Sequence, residues 1–192
     1  MRALRWRVAV GGAILVLVVV TGSACAQDDA PTVVVIGDSL TVGAEMMGLD
    51  EGTWMVDAEE GRTTAEAIDV AEELDAPDFE RVVVAVGTND YEDSEAAYAA
   101  QIDEMMRALG PDVPVTWINV DAGTPAMASA GPGVNAALAA APQRHDNLTV
   151  ADWSAYIGGR SDRAELRADD GVHYTPAGYE IRAEWMDGLL RS

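Results

Sequence analysis

The chain has 192 residues, of which 49% are hydrophobic and 23% charged, so its composition is typical of one globular domain and excludes a wholly disordered chain. Its single cysteine excludes a disulfide framework and any zinc site built from several cysteines. The formal net charge of −21 creates a field that repels phosphate groups, which makes nucleic acid a poor candidate partner.

Residues 1–26 have the pattern of an export signal. Three arginines precede an apolar run over residues 8–20, and small residues occupy positions 21–26. The apolar run is shorter than the roughly 20 residues that span a membrane, although an uncleaved N-terminal anchor is an alternative. We therefore expect a protein that works outside the cytoplasm and contacts a membrane only through this signal or a lipid anchor.

Two processing routes fit the end of this signal. Residues 24–26 form a small-x-small site, and cleavage there would release a chain that starts at Gln27. Residues 22–25 are instead similar to a bacterial lipoprotein signal, in which Cys25 would carry the lipid. In either case residues 27–192 form the single predicted domain, and the loss of three arginines makes its net charge −21 − 3 = −24.

The domain alternates between segments typical of strands and segments typical of helices. Continuous apolar or β-branched runs predict four strands, at residues 32–36, 81–86, 113–120 and 148–151. A weaker fifth strand is predicted at residues 53–56. Runs without polar alternation indicate strands that are buried on both faces, as in a parallel sheet.

Apolar residues at helical spacing predict helices between these strands, at residues 64–74, 94–109, 134–141 and 176–190. The alternation predicts an α/β domain of three layers, α/β/α, around a five-stranded parallel sheet. In such folds ligands bind at the carboxyl ends of the strands. The one long loop, residues 121–133, follows a strand, so we expect it to border the site.

Polar or flexible residues follow three of the predicted strands. Ser39 comes after the first strand, near a predicted helix start, where it could be a nucleophile or a plain helix N-cap. Gly61 could let the backbone approach a ligand closely, or it could be an ordinary turn glycine. Asn89 offers a side-chain amide donor that suits a developing oxyanion, and the alternative is an Asx-turn that caps the next helix.

The segment before the last predicted helix carries a more specific pair. His173 is one of two histidines, and Asp170 lies three residues before it. A carboxylate at that spacing can accept a hydrogen bond from the imidazole Nδ1–H, which leaves Nε2 free to act as a base. The alternative is a surface histidine in a turn that leads into a helix. His145 lies in a polar connection, and no role is predicted for it.

Together these segments resemble the ordered blocks of the SGNH (GDSL-type) hydrolase superfamily, over about residues 32–190. The blocks are Gly-Asp-Ser-Leu at 37–40, Gly61, Gly-x-Asn-Asp at 87–90 and Asp-x-x-His at 170–173. Residues 147–178 are more loosely similar to SGNH domains that are attached to bacterial membrane acyltransferases.

The resemblance implies a flavodoxin-like three-layer fold and ester hydrolysis through an acyl-enzyme. Ser39 would be the nucleophile, His173 the base and Asp170 the residue that orients the base. The oxyanion hole would consist of the backbone N–H groups of Ser39 and Gly61 and the side chain of Asn89. The mechanism that the resemblance implies uses no metal and no cofactor.

We therefore expect an exported serine esterase that acts on small acyl esters, such as acetyl esters, of a small molecule or an exposed carbohydrate. No long insertion is available to build a lid or a deep acyl tunnel, which favours short acyl groups. The alternative is an O-acyltransferase that passes the acyl group to a cell-envelope carbohydrate with the same residues. A surface binding module without turnover is a third hypothesis, and the complete set of Ser39, Asp170 and His173 argues against it.

Overall fold

The structure is a computed structural model that describes residues 32–49, 54–90 and 94–191. The predicted export signal, with Cys25, lies outside the described residues. Within the described ranges, no helix is both long enough and apolar enough to cross a membrane.

The described residues form one sheet of five parallel strands in the spatial order β2-β1-β3-β4-β5. The strands are β1 (Val33–Gly37), β2 (Trp54–Ala58), β3 (Arg81–Ala85), β4 (Val115–Ile118) and β5 (Leu148–Ala151). Val35 of β1 lies opposite Val56 of β2 on one side and Val83 of β3 on the other, which fixes the register of these three strands. The predicted five-stranded parallel sheet is confirmed.

The described residues contain six α-helices, of which four lie between successive strands and two follow β5. They are α1 (Ser39–Met46), α2 (Thr64–Glu73), α3 (Glu95–Leu109), α4 (Gly131–Ala140), α5 (Trp153–Gly158) and α6 (Pro176–Leu190). Short 3-10 helices cover Ala76–Asp78 and Ala141–Gln143. The helix α5 was not predicted from the sequence, because a helix of six residues is too short to show a helical period.

The helix α4 begins earlier than predicted, at Gly131 rather than at residue 134. The Gly-Pro-Gly segment at its start has the composition of a loop. Pro132 nevertheless fits the first turn of a helix, because the N–H that proline lacks has no intrahelical partner there.

Helices cover both faces of the sheet, which buries the strands. Val34 and Ile36 of β1 pack in one core cluster with Ile102 of α3 and with residues of α2 and α4. Val33 and Val35 belong to a second cluster, on the face covered by α1, α5 and α6. The predicted three-layer α/β/α arrangement is therefore confirmed, with a hydrophobic core on each side of the sheet.

The difference in sequence signal between β1 and β2 follows from their positions in the sheet. The interior strand β1 is buried along its whole length, whereas the edge strand β2 is fully buried only at Trp54. An edge strand contacts fewer neighbours and needs a less continuous apolar run. This explains why the segment at residues 53–56 carries the weakest strand signal.

From β1 the chain runs to β2, which pairs with one edge of β1. It then runs to β3, which pairs with the opposite edge of β1. This reversal opens a crevice at the carboxyl ends of β1 and β3, which is the usual ligand site of an open parallel sheet. Ser39 follows β1, Gly61 follows β2 and Asn89 follows β3, so three of the predicted site residues lie at this edge.

Candidate active site

Ser39 is the first residue of α1, and the residue before it, Asp38, is the N-cap of the helix. The Asp38 carboxylate accepts a hydrogen bond from the backbone N–H of Leu40 at 2.9 Å. The alternative that Ser39 is a plain N-cap is therefore wrong, because the cap does not use its hydroxyl. That hydroxyl lies 3.0 Å from Nε2 of His173, at the positive end of the helix dipole.

Close packing holds the turn between β1 and α1 in place. A Cβ atom at Gly37 would overlap the side chain of Thr41, so a larger residue there would displace α1. The N–H of Asp38 donates to the carbonyl of Ala85 at 3.2 Å and joins the ends of β1 and β3. Asp38 is buried, and this burial raises the pKa of its carboxyl, against the opposing effect of the Arg182 charge.

Asp170 and His173 form the predicted pair on the loop before α6. Oδ2 of Asp170 lies 2.7 Å from Nδ1 of His173, and Oδ1 accepts the backbone N–H groups of Val172 at 2.8 Å and His173 at 2.9 Å. These hydrogen bonds, first of all the one from Val172, lower the pKa of Asp170 to about 2. An ionised carboxylate only accepts, so Nδ1 carries the proton and Nε2 accepts from the Ser39 hydroxyl.

One cleft of about 580 Å³ is lined by four of the five predicted site residues, Ser39, Gly61, Asn89 and His173. Asp170 supports His173 from outside the cleft lining. Gly61 has a φ of +80°, a conformation that favours glycine. A Cβ atom there would meet nothing within 4 Å, so the backbone conformation rather than packing requires the glycine.

The backbone next to Gly61 orients the side chain of Asn89. Nδ2 of Asn89 donates to the carbonyl of Arg62 at 2.9 Å. Because an amide nitrogen carries two hydrogens, the second hydrogen can point to another acceptor. The alternative that Asn89 caps the next helix is wrong, since Ser94 is the N-cap of α3.

Arg62, which was not predicted from the sequence, stabilises this part of the site with its side chain. The buried guanidinium donates to the carbonyl of Gly37 at 3.2 Å, to the carbonyl of Asp57 at 2.7 Å and to the Asp57 carboxylate at 2.7 Å. It ties the ends of β1 and β2 to the turn that contains Gly61. No local pattern signals this role, because the partners of Arg62 lie in two different strands.

Side chains of α1 and α6 form an apolar wall of the cleft. Val42, Met46 and Tyr179 line it, and Met46 is 75% exposed. The Tyr179 ring lies directly on Gly43, where a Cβ atom would overlap the ring. The cleft therefore offers an apolar wall as well as hydrogen-bond donors next to Ser39.

The loop at residues 121–133 was expected to border the site, but it contributes no residue to this cleft lining. Met127 is buried in the core on the face of α2, α3 and α4, which draws the loop inward. A Cβ atom at Gly171 would lie 3.7 Å from Cβ of Ala126. The loop therefore packs beside the segment that carries Asp170 and His173 and does not form a wall of the cleft.

His145 lies in a different place, as its sequence context indicates. Its Nε2 is 2.6 Å from a carboxylate oxygen of Asp103, and both line a separate cleft together with Arg144. Within the described ranges, no group of three or more His, Cys, Asp or Glu side chains could hold a metal ion.

A family profile described as GDSL-like Lipase/Acylhydrolase matches residues 35–181 of the chain. The chain belongs to this family. The predicted resemblance to SGNH (GDSL-type) hydrolases is thereby confirmed, and the matched segment contains every predicted site residue from Ser39 to His173. Membership of the GDSL-like family places the chemistry of the protein in acyl hydrolysis or acyl transfer.

Several solved structures share the GDSL-type fold. The C-terminal catalytic domain of peptidoglycan O-acetyltransferase A from Streptococcus pneumoniae, solved with a methylsulfonyl adduct, has a TM-score of 0.66 and 21% identity, over 84% of this chain and 93% of that domain. A lipase/acylhydrolase from Enterococcus faecalis has a TM-score of 0.63 and 19% identity, over 84% and 95% of the two chains.

A carbohydrate esterase family 3 protein from Talaromyces cellulolyticus has a TM-score of 0.65 and 18% identity, over 84% of this chain and 96% of that chain. At these sequence identities the comparisons show that the fold is shared. The predicted similarity to SGNH domains of acyltransferases is therefore confirmed for the fold. No curated protein matches the sequence.

Proposed function

We propose that this GDSL-family protein is an exported serine esterase that removes small acyl groups through an acyl-enzyme. One observation carries the proposal: hydrogen bonds run without interruption from the Ser39 hydroxyl through the His173 imidazole to the ionised carboxylate of Asp170. A nucleophile, a base and a group that orients the base are therefore within hydrogen-bond reach of one another. Gly61 and Asn89 line the same cleft.

In the first half of the proposed reaction, Oγ of Ser39 attacks the acyl carbon while Nε2 of His173 takes the hydroxyl proton. The N–H groups of Ser39 and Gly61 and Nδ2 of Asn89 stabilise the oxyanion. His173 then gives the proton to the leaving alcohol, and the acyl group stays on Ser39. In the second half, His173 takes a proton from a water molecule while that water attacks the acyl carbon. His173 then gives the proton to Oγ of Ser39 as the bond to the acyl carbon breaks, and the acid is released.

The shape of the cleft favours short acyl groups. Its apolar wall consists of Val42, Tyr179 and the largely exposed Met46, and the loop at residues 121–133 adds no second wall to this lining. A methylene group gains about 0.8 kcal/mol only when it leaves water. Carbons that extend beyond the wall therefore add little to binding.

We expect p-nitrophenyl acetate and butyrate to be hydrolysed with higher kcat/KM than octanoate and longer esters. Anionic esters should react more slowly than matched neutral esters, because the strongly negative chain repels them, and added salt should reduce this difference. Initial rates over the series of chain lengths, at two salt concentrations, measure both effects. Rates that rise up to twelve carbons would contradict the short-acyl specificity.

The wall can be tested separately with Met46→Ala, since an exposed side chain can be shortened with little effect on the fold. This variant should lower the rate on butyrate more than the rate on acetate. Equal changes on both esters would mean that Met46 does not contact the acyl chain.

Asn89→Ala is expected to lower kcat by about 10²–10³-fold, the usual effect of losing one oxyanion donor. KM should change little, because the donor acts mainly on the transition state. The matched control is Asn147→Ala. Asn147 directly precedes β5 and donates to the backbone carbonyls of Gly110 and Val113, so its loss should lower Tm and leave kcat unchanged. If Asn89→Ala kept the wild-type kcat, the proposed role of Asn89 as an oxyanion donor would be wrong.

Acyl transfer to a sugar hydroxyl is the second candidate function. The similar fold from Streptococcus pneumoniae is the catalytic domain of a peptidoglycan O-acetyltransferase, and both reactions use the same acyl-enzyme. Turnover of p-nitrophenyl acetate with and without N-acetylglucosamine oligomers distinguishes them. A transferase releases p-nitrophenol faster with the sugar present and forms O-acetylated sugar, whereas an esterase forms acetate at a rate that the sugar does not change.

The proposed exported location rests on residues 1–26 and their signal pattern. Fractionation of bacteria that express the full chain tests it. Comparison of the wild type with Cys25→Ser separates a lipid anchor on Cys25 from release at Gln27.

A further inference from the structure

A buried carboxylate outside the lining of the active-site cleft is joined through one arginine to the segment that carries Asp170 and His173. Asp121 follows β4, and its side chain is 3% exposed. Two arginines neutralise it: Nη2 of Arg163 lies 2.5 Å from Oδ1, and Arg167 forms an ion pair with Oδ2. Such a buried cluster is a weak source of stability, since well-packed apolar residues can often replace it. Its remaining contacts indicate what it holds in place.

Arg167 connects Asp121 to the catalytic loop, which we define as residues 167–174. Nη1 of Arg167 donates to the carbonyl of Val172 at 3.2 Å. The guanidinium also lies 4.7 Å from the centre of the Tyr174 ring, and the backbones of Arg167 and Tyr174 pair in an isolated bridge. One side chain therefore spans the catalytic loop from its first residue to its last.

Val172, the residue before His173, is hydrogen-bonded through both its N–H and its carbonyl group. The N–H of Val172 donates to Asp170 at 2.8 Å, and its carbonyl accepts from Arg167. The side chains of His173 and Asp170 are themselves 42% and 51% exposed, so water competes for their hydrogen bonds. Because burial does not fix these two side chains, the hydrogen bonds of the loop backbone must hold them in position.

Asp121 is itself fixed to the body of the domain. The preceding residue, Val120, exchanges two hydrogen bonds with the side chain of Asn135 in α4, at 3.0 and 2.8 Å. The N–H of Gly123 donates to Oδ1 of Asp121 at 3.2 Å. A continuous set of contacts thus runs from α4 through Asp121 and Arg167 to the catalytic loop.

We propose that Asp121 is a positioning residue: through Arg167 it fixes the catalytic loop so that Nε2 of His173 stays within reach of Ser39. The inference rests on the proposed function, because it concerns the same site. A displacement of about 1 Å between reacting groups can lower a rate by about 10²-fold. Asp121→Asn keeps the size of the side chain and removes its charge, and it should lower kcat by about ten- to a hundred-fold with KM nearly unchanged.

Two arginine variants separate the link to the loop from the burial of charge. Arg167→Met removes the contact with Val172 while Asp121 keeps Arg163 as a partner, and it should lower kcat as much as Asp121→Asn. Arg163→Met leaves that contact intact and should lower kcat less. Asp103→Asn is the control, since it breaks a surface pair with His145 outside the cleft, and it should retain wild-type kcat on p-nitrophenyl acetate.

A spectroscopic signal distinguishes positioning from a loss of stability. The far-downfield proton resonance of the His173 Nδ1–H bound to Asp170 should broaden or vanish in Asp121→Asn and Arg167→Met, while the far-ultraviolet circular dichroism stays unchanged. Wild-type kcat in Arg167→Met, or an unchanged resonance, would overturn the proposal. If Asp121→Asn does not fold, the comparison of Arg167→Met with Arg163→Met gives the same decision.

Failure of the positioning role can be told apart from failure of the proposed function. A wild-type protein that hydrolyses none of the esters contradicts the proposed function, and the resonance alone then decides the role of Asp121. An active wild type with an equally active Arg167→Met contradicts only the role of Asp121.

Discussion

Ser39→Ala is expected to abolish ester hydrolysis while leaving the protein folded. kcat on p-nitrophenyl acetate should fall by roughly 10⁴- to 10⁶-fold, as when a serine-protease triad loses one member. The effect is this large because, in the proposed mechanism, Oγ of Ser39 forms the covalent bond to the acyl group, so its loss removes the acyl-enzyme. The fold should tolerate the change, since Asp38 rather than Ser39 caps α1.

Ser161→Ala is the matched control, because Ser161 is exposed and lies outside the cleft lining. It should keep wild-type kcat, and its stability should change by no more than about 0.5 kcal/mol, as is usual for a surface substitution. A sulfonyl fluoride should add one sulfonyl group, detectable by mass spectrometry, to the wild type and to Ser161→Ala, and none to Ser39→Ala. Near wild-type turnover by Ser39→Ala would reject Ser39 as the nucleophile.

His173→Ala is expected to lower kcat by a similar factor and to remove the pH dependence of the reaction. In the wild type, kcat/KM should rise between pH 5 and 9, because a protonated imidazole cannot accept the Ser39 proton. Asp170 has a pKa lowered to about 2, so it stays ionised over this whole range and adds nothing to the profile. Activity should therefore be lost through a single ionisation as the pH falls.

His145→Ala is the control for this profile, since His145 is the only other histidine of the chain and pairs with Asp103 outside the cleft. The variant should show the same acid limb as the wild type. A flat wild-type profile, or an acid limb that disappears in His145→Ala, would count against His173 as the base.

The sequence predicts the parts of the site that depend on strand ends and on local spacing. Ser39, Gly61 and Asn89 each follow a strand, and parallel strands bring their carboxyl ends to one edge whatever the intervening loops do. Asp170 and His173 are three residues apart, so their contact is local. Ser39 and His173 are separated by 134 residues. Their contact could be predicted only from the resemblance to the ordered blocks of the superfamily.

The supporting contacts could not be predicted in this way. Arg62 reaches a strand 25 residues away, and Asp121 pairs with Arg163 42 residues later. In a sequence, an isolated charged residue has the pattern of a solvated side chain, and only packing shows that these are buried. The loop at residues 121–133 was misplaced for the same reason, since the burial of Met127 sets its path.

The proposed nucleophile, Ser39, lies near the start of the domain, and the catalytic loop lies near its end. The Tyr179 ring packs on Gly43 and brings α6 against α1. A ribosome therefore makes Ser39 long before it makes His173. Until then the serine hydroxyl has no base and is as unreactive as any other alcohol. In the proposed mechanism, a partly synthesised chain that lacks α6 therefore cannot hydrolyse or transfer acyl groups, and activity begins only when α6 has packed against α1.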